Sequence, residues 1–357
     1  MSISGGKMKN YCVRTAMFAA FFAAVLVIAL SLAGCDDGSN SSPDGCAHVV
    51  GAWTDTVPAT ATENGTQTGT CALCSQPTSR TAYATGTPGL EYELIDSNSA
   101  FRVRAGTVTT GTVNIPAFRL SDNGARYIPV TEIGSLDDNN GAFGYTDDIS
   151  LTITNVVFLG PSNIKTIGCI AFSGCTSITS INIPSSLTSI GDGAFSDTGL
   201  TSITLPASML IGANPFYGTS IVSFTLTGTG PLSTVESGRA LVRNSTELVS
   251  YPSASGSIAI PAGITSIGDS AFLYTGLTSI TLPAGLVSIG DSAFFYCTSL
   301  DKVTSLATTP PSLGSWAFAT SFFGSNNLRI EVPAASVGAY KAASGWSELA
   351  DRIFAIQ

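Results

Sequence analysis

Charge is scarce in this chain. Only 11% of its 357 residues are Asp, Glu, Lys or Arg, and the balance is acidic, 15 Lys and Arg against 24 Asp and Glu. That leaves no basic footprint for a phosphate backbone and argues against DNA or RNA as a partner. Histidine is scarcer still. His48 is the single one, which removes most His-dependent acid–base catalysis from the rest of the chain. The one Gly-rich candidate for a phosphate loop, Gly228-Thr229-Gly230, runs into Pro231 and has no lysine anchor, so it fails as a nucleotide motif. With so few charges, Ser, Thr, Gly and backbone must cover the surface. The length would allow two or three ordinary domains, unless the chain grows by repetition.

The N-terminus reads as an export signal. Lys7, Lys9 and Arg14 precede an uncharged apolar run from Ala16 to Leu32, with Met8 as an alternative start. The run is nearly long enough to span a membrane, but its flanks are those of a signal peptide. It closes on Leu32-Ala33-Gly34-Cys35, which resembles the lipobox of bacterial lipoproteins. That resemblance implies a signal over residues 1–34, cleaved before Cys35, and a diacylglycerol on the Cys35 thiol. Each buried methylene contributes about 0.8 kcal/mol, and two or more acyl chains make a durable anchor. The polar stretch Asp36 to Gly45 then reads as a flexible tether, so the tether with its anchor spans 35–45.

Residues 46–80 carry Cys46-x-His48 and Cys71-x-x-Cys74, two closely spaced pairs of soft ligands. Two short knuckles closing on one ion are the geometry of a structural zinc site, so Cys46, His48, Cys71 and Cys74 are the expected metal ligands. In an exported chain a disulfide arrangement is the alternative. A redox-active Cys71–Cys74 pair is weakened by the lack of a thioredoxin-like strand and helix around it. Four protein ligands leave no open position for a catalytic water. The segment also resembles a short element of secreted bacterial proteins, with Cys-x-His, a Trp (here Trp53) and a final Cys-x-x-Cys. So small a segment needs a cross-link to hold it.

After a Gly/Thr/Pro linker at 81–89, one sentence recurs. It is cleanest from Leu277 to Leu300, LTSITLPAGLVSIGDSAFFYCTSL. Phe143, Phe172, Phe195, Phe216, Phe272, Phe294 and Phe318 mark it at intervals of 29, 23, 21, 56, 22 and 24 residues. A self-similar period near 22–23 marks a solenoid. The strand phrase returns as Val113-Asn114-Ile115-Pro116, Ile181-Asn182-Ile183-Pro184, Ile203-Thr204-Leu205-Pro206, Ile258-Ala259-Ile260-Pro261, Ile280-Thr281-Leu282-Pro283 and Ile330-Glu331-Val332-Pro333. Its apolar residues point inward, and Pro ends the strand because it has no N–H to give. Gly290 suits a corner at positive φ. Asp192, Asp269 and Asp291 are expected to cap a single helical turn that carries Ala-Phe into the core.

The fold class expected is thus an α/β-type leucine-rich repeat solenoid, mostly β and coil. A parallel ladder takes one short strand per repeat over residues 90–357, and a terminal cap covers 334–357. The Ala-Phe ruler and the Ile-Gly-Asp-Ser-Ala-Phe phrase resemble the BspA-like leucine-rich repeats of bacterial surface proteins, also described in treponemal antigens. Departures fall in three places. Phe158 to Pro161 carries one extra residue before its Pro, and Met209 to Ile211 is one short. Between Phe216 and Phe272 a hairpin-like excursion is expected around Arg243-Asn244-Ser245-Thr246. Cys175 and Cys297 hold one repeat position, and they and Cys169 read as buried core.

The outward strand positions, Thr179, Asn182, Thr201, Thr204, Thr278 and Thr281 among them, form a hydroxyl-lined strip. The bland reading is a solvated face in which Thr is favoured by β propensity. The functional reading is a recognition surface for a protein or glycan of a host or bacterial surface. The resemblance implies adhesion by an exported, lipid-anchored protein of the bacterial envelope, displayed at the cell surface, with no enzymatic activity. The alternative is a periplasmic scaffold or glycan-binding lipoprotein that never meets a host.

Overall fold

The computed structural model describes residues 52–70, 77–121, 126–134, 142–143, 152–318 and 328–357. The expected lipidation site Cys35 and the expected ligands Cys46, His48, Cys71 and Cys74 lie outside the described residues. The chain is a series of stacked coils, mostly strand and turn. The α-helix Val337–Ala342 is the only one among the described residues.

The coils contribute to two sets of parallel ladders. The strand phrase builds the first, where Ile258, Ile280, Val303, Ile330 and Ile353 are successive partners. The Ser-Ile pair before the corner glycine builds a second ladder that adds to the one expected. Ile133, Ile167, Ile190 and Ile211 align in one part of it, and Leu248, Ile267, Ile289 and Leu313 in another. Alternation drives this arrangement: Ile203, Leu205, Ile280 and Leu282 are buried, while their neighbours face out.

The phenylalanines of the ruler stack coil on coil. Phe143, Phe172, Phe195 and Phe216 have ring centroids 5.3, 5.5 and 5.8 Å apart, nearly parallel. Phe272, Phe294 and Phe318 repeat this at 5.1 and 4.8 Å. Each such pair adds about 0.5–1.5 kcal/mol beyond its area burial.

Between these stacks the 56-residue interval resolves. Tyr251 takes the Phe position, its N–H donating to Ala271 O as that of Phe272 does to Ala293 O. The interval therefore splits into 35 and 21 residues, and the surplus is the expected hairpin excursion. Strands Leu232–Val235 and Ala240–Arg243 pair antiparallel, and Ala240–Arg243 pairs again with Glu247–Ser250 across Asn244 and Ser245 at φ 52° and 61°.

The same hairpin opens the first array. Strands Glu91–Ile95 and Ala100–Arg104 are joined by a short turn in which Ser97 has φ 54° and ψ 40°. Its counterpart Ser237 has φ 58° and ψ 36°. Two core clusters follow, one from Leu90 to Val249 and one from Ala240 to Ile353. The second array ends under a cap in which Trp346 Nε1 donates to Pro311 O at 2.7 Å and Tyr340 OH donates to Ala307 O at 3.0 Å.

Several expectations need correction. Gly290 does not adopt positive φ. It is needed for close approach, because a Cβ there would meet the Asp269 carboxylate and lie 2.6 Å from the Asp269 backbone nitrogen. Gly212 and Gly314 stand in the same relation to Asp192 and Asp291. The aspartates also bridge coils, which the capping expectation did not include. Asp192, Asp269 and Asp291 accept from the N–H of Ala213, Asp291 and Ser315, each at 2.7 Å and one coil further on. Finally, Ile181 to Pro184 forms no strand. The extra residue before Pro161 puts its coil out of step with the next, and ladder pairing depends on matched register.

Candidate binding surface

The outward face of the first ladder is not one strip. One patch pairs Ser202 with Ser223 and Thr204 with Thr225. A second aligns Ser257, Ser279, Lys302 and Arg329 in one row, and Thr281, Thr304, Glu331 and Phe354 in the next. Thr201 and Thr278 are exposed beside the starts of these strands, and their carbonyls accept from Val222 and Asp301 at 3.0 Å. Thr179 and Asn182 are exposed too, but they lie in the unpaired stretch and join neither patch.

The second patch changes character along its length. Ser279 Oγ donates to Ser257 Oγ at 2.7 Å in the hydroxyl part. At the C-terminal end Glu331 accepts from Lys302 at 2.7 Å and from Arg329 at 2.9 Å, and Arg329 lies 4.3 Å over the Phe354 ring. The Lys302 and Arg329 hydrogen bonds hold the Glu331 carboxyl below the usual range.

The turn face carries a different feature. Two positions per coil take left-handed backbone, filled by Gly193, Asn214, Ser270 or Ser292 on one side of the Phe and by Gly174, Asp197 or Gly218 on the other. Later coils place Tyr274, Tyr296 and Trp316 there at φ 61°, 57° and 61°. Tyr274 and Trp316 are 48% and 44% exposed, and Tyr274 stacks on Tyr296 at 4.7 Å.

The cysteines of the array are structural. Cys175 and Cys297 are free and buried, and their thiols donate to Phe143 O at 2.8 Å and Phe272 O at 2.9 Å. Burial pushes the Cys175 thiol up to about 12 and the Cys297 thiol up to about 11, which removes thiolate chemistry at neutral pH. Cys169 is buried as expected, and it is also disulfide-bonded. Its second cysteine lies outside the described residues, since Cys175 and Cys297 are free.

Sequence reasoning missed a site at the other end of the molecule. The strands Thr54–Val57, Gly65–Thr70 and Pro77–Ala82 form an antiparallel sheet docked on the first coils. Thr85 N–H donates to Thr60 O and Ala84 N–H to Asn64 Oδ1, at 2.9 and 2.7 Å. At this junction a cleft of about 360 Å³ opens between the sheet and the hairpin strands Phe118–Leu120 and Tyr127–Ile133. Tyr83 sits in its wall, 4.3 Å from Phe118 and 5.1 Å from Tyr127 between ring centroids. Trp53 was the one signal in the sequence, and the Arg80 guanidinium lies 4.4 Å over its ring. The rest falls outside the repeating phrase, so periodicity could not find it.

The family described as BspA type leucine rich repeat region matches in six copies over residues 142–253 and 250–341. Among curated proteins no match is found. Three solved structures are similar. The pneumococcal vaccine antigen PcpA is 18% identical over 71% of this chain and 82% of its own, with a TM-score of 0.46. A leucine rich cell surface protein from Faecalibacterium prausnitzii is 18% identical over 77% and 94%, at 0.38. The T. pallidum leucine rich repeat protein TpLRR is 21% identical over 68% and 92%, at 0.35. At these identities the likeness concerns the fold alone.

Proposed function

Because the chain belongs to the BspA-type leucine-rich repeat family, we propose that it is a surface-displayed bacterial lipoprotein that binds protein partners and so mediates adhesion. The ladder face carries this reading. Its outward Thr201 and Thr278 stay exposed, whereas the array's conspicuous carboxylates, Asp192, Asp269 and Asp291, accept from backbone N–H groups of the next coil. A broad, shallow face of this kind is a binding surface and offers no acid–base pair for catalysis. Export and the lipid anchor on Cys35 rest on the N-terminal sequence.

Protease shaving of intact cells tests display: loss of the protein is expected, and complete protection would leave only a periplasmic scaffold. The chain from Asp36 onward should bind at least one of immobilised fibronectin, laminin or collagen. Substituting Lys302 and Arg329 together by Ala should weaken that binding, and retention of none of the three proteins would sink the adhesin reading.

Structural zinc on Cys46, His48, Cys71 and Cys74 belongs to the same proposal for the chain with Cys169 reduced. In the oxidised chain, with Cys35 acylated and the signal removed, the Cys169 bridge has only Cys46, Cys71 or Cys74 to take, and a disulfide arrangement replaces the site. What supports it is strand register. Thr54 pairs with Thr68 and Thr70 with Pro77, so the segments carrying the two ligand pairs leave the same end of the sheet. Two knuckles at one end suit a tetrahedral site, where zinc would cross-link the small sheet. Metal analysis of the purified chain, kept reduced, should find one zinc that a chelator removes. Folded, reduced protein without zinc would overturn this.

A further inference from the structure

We infer that the cleft between the N-terminal sheet and the first coils is a saccharide site, taking a glycan of two or more rings. It stands apart from the ladder face and does not depend on it.

The polar side of the cleft sets the charge of the ligand. Gln67 Nε2 donates to Asp55 Oδ1 at 2.8 Å, and Arg80 Nε donates to Gln67 Oε1 at 2.8 Å. The relay balances one carboxylate with one guanidinium, and the guanidinium is further spread over the Trp53 and Tyr127 rings at 4.4 and 5.2 Å. Arg119 also lines the cleft, with its guanidinium 4.1 Å over the Tyr92 ring, so the cleft suits a ligand that is neutral or carries a single negative charge. The relay also sets polarity. The donors of Gln67 and Arg80 named here point inward along the chain of groups, while the exposed Asp55 carboxylate keeps acceptor capacity. A ligand that donates hydrogen bonds, as hydroxyl groups do, would answer Asp55.

The apolar side sets the shape. Tyr83 meets Tyr127 at 78° and tilts 31° from Phe118, so half-exposed aromatic walls stand nearly at right angles beside the polar relay. A sugar ring offers C–H faces for such walls and hydroxyls around its rim, and sites of this mixed composition sit at domain junctions. A proline-rich peptide also packs on aromatic grooves, but the carbonyls it presents are acceptors and would leave Asp55 unanswered. A second cleft of about 160 Å³ shares Tyr83 and Ala84 and continues past Asn64 to Gly160 and Pro161. Gly160, the surplus residue before Pro161, stands at φ 61° with open space where a Cβ would be. This neighbouring cleft, which shares Tyr83, is where a second ring would lie.

The test uses the chain from Asp36 onward, with calorimetry and saturation-transfer NMR against lactose, maltose, cellobiose and N,N′-diacetylchitobiose, and a decaproline peptide as the competitor. At least one disaccharide should bind. Tyr83→Ala and Asp55→Asn should each weaken it by about tenfold, equivalent to about 1.4 kcal/mol, with the circular dichroism spectrum unchanged. Asp55→Asn keeps the acceptor for Gln67, so it decides the matter if Tyr83→Ala fails to fold. Binding of none of the four sugars, binding unaffected by Asp55→Asn, or binding of decaproline alone would overturn the proposal. None of these outcomes bears on binding of matrix proteins by the ladder face.

Discussion

Gly290 and Asp269 show how a single coil is locked to the next. The Asp269 carboxylate reaches forward to the Asp291 N–H at 2.7 Å, and the room it needs is the space where a Cβ of residue 290 would stand. Gly290→Ala is therefore expected to destabilise the fold by about 1–3 kcal/mol through overpacking, read as a shift in the urea midpoint; an unchanged midpoint would show that the coil yields at no cost. The recurring Ile-Gly-Asp phrase was visible in the sequence, but its reach to the next coil was not. An Asp two residues before Ala-Phe looks like a cap for its own turn, and nothing in a linear chain says that the acceptor serves a neighbour 22 residues away. Glu331 makes a second residue-scale prediction. Lys302 and Arg329 lower its folded pKa below the unfolded glutamate value near 4.3. The stability it contributes is present above that value and is lost as pH falls through the lower folded pKa. Urea midpoints measured down an acid series should fall less steeply for Glu331→Gln than for the parent. Parallel acid limbs would remove Glu331 as the cause.

At the scale of elements, the hairpin at 232–250 interrupts the coils yet holds the two arrays together. Asn214 is fully buried at φ 24°, donates from Nδ2 to Ser270 O and accepts from Ser250 Oγ. Arg243 clasps Glu247 at 2.6 Å and Ile211 O at 2.7 Å, joining the end of one corner ladder to the start of the next. Removing Asn214 leaves a buried carbonyl and hydroxyl without these partners, which costs about 1–3 kcal/mol. Asn214→Ala should therefore split thermal unfolding into two transitions, or widen it, when followed by calorimetry. A single transition of unchanged width would place the coupling elsewhere. The hairpin itself was legible, because Leu241-Val242 and Leu248-Val249 flank a polar turn. That Tyr251 replaces a Phe was not, since the ruler sought only one residue type and the ring counts for its shape.

At the scale of the whole molecule, the chain is two arrays in series. Each has a start hairpin of the same form, and each has its own stack of rings and its own core. The second also has the Trp346 and Tyr340 cap. Solenoid stability is close to a sum of coil and interface terms, so the piece from Gly228 to Gln357 should fold by itself. A cooperative melt by circular dichroism is expected of it, and a featureless one would mean that the second array needs the first as a template.

The sequence by itself determined the repeat, its length, the strand phrase, the inward and outward positions and the family, because each is written in a local period that any one coil reveals. The expected export signal and soft-ligand pairs were likewise read from contiguous residues, and they lie outside the described residues. Tertiary structure alone decided what lies between coils. It added the second ladder, turned the aspartates and glycines into inter-coil fittings, broke the hydroxyl strip into two patches and brought Tyr83, Phe118, Tyr127 and Asp55 to one cleft. Those relations depend on which residues face each other across about 4.8 Å of stacking or across a docked sheet, and a period in the sequence carries no record of the packing that sets them.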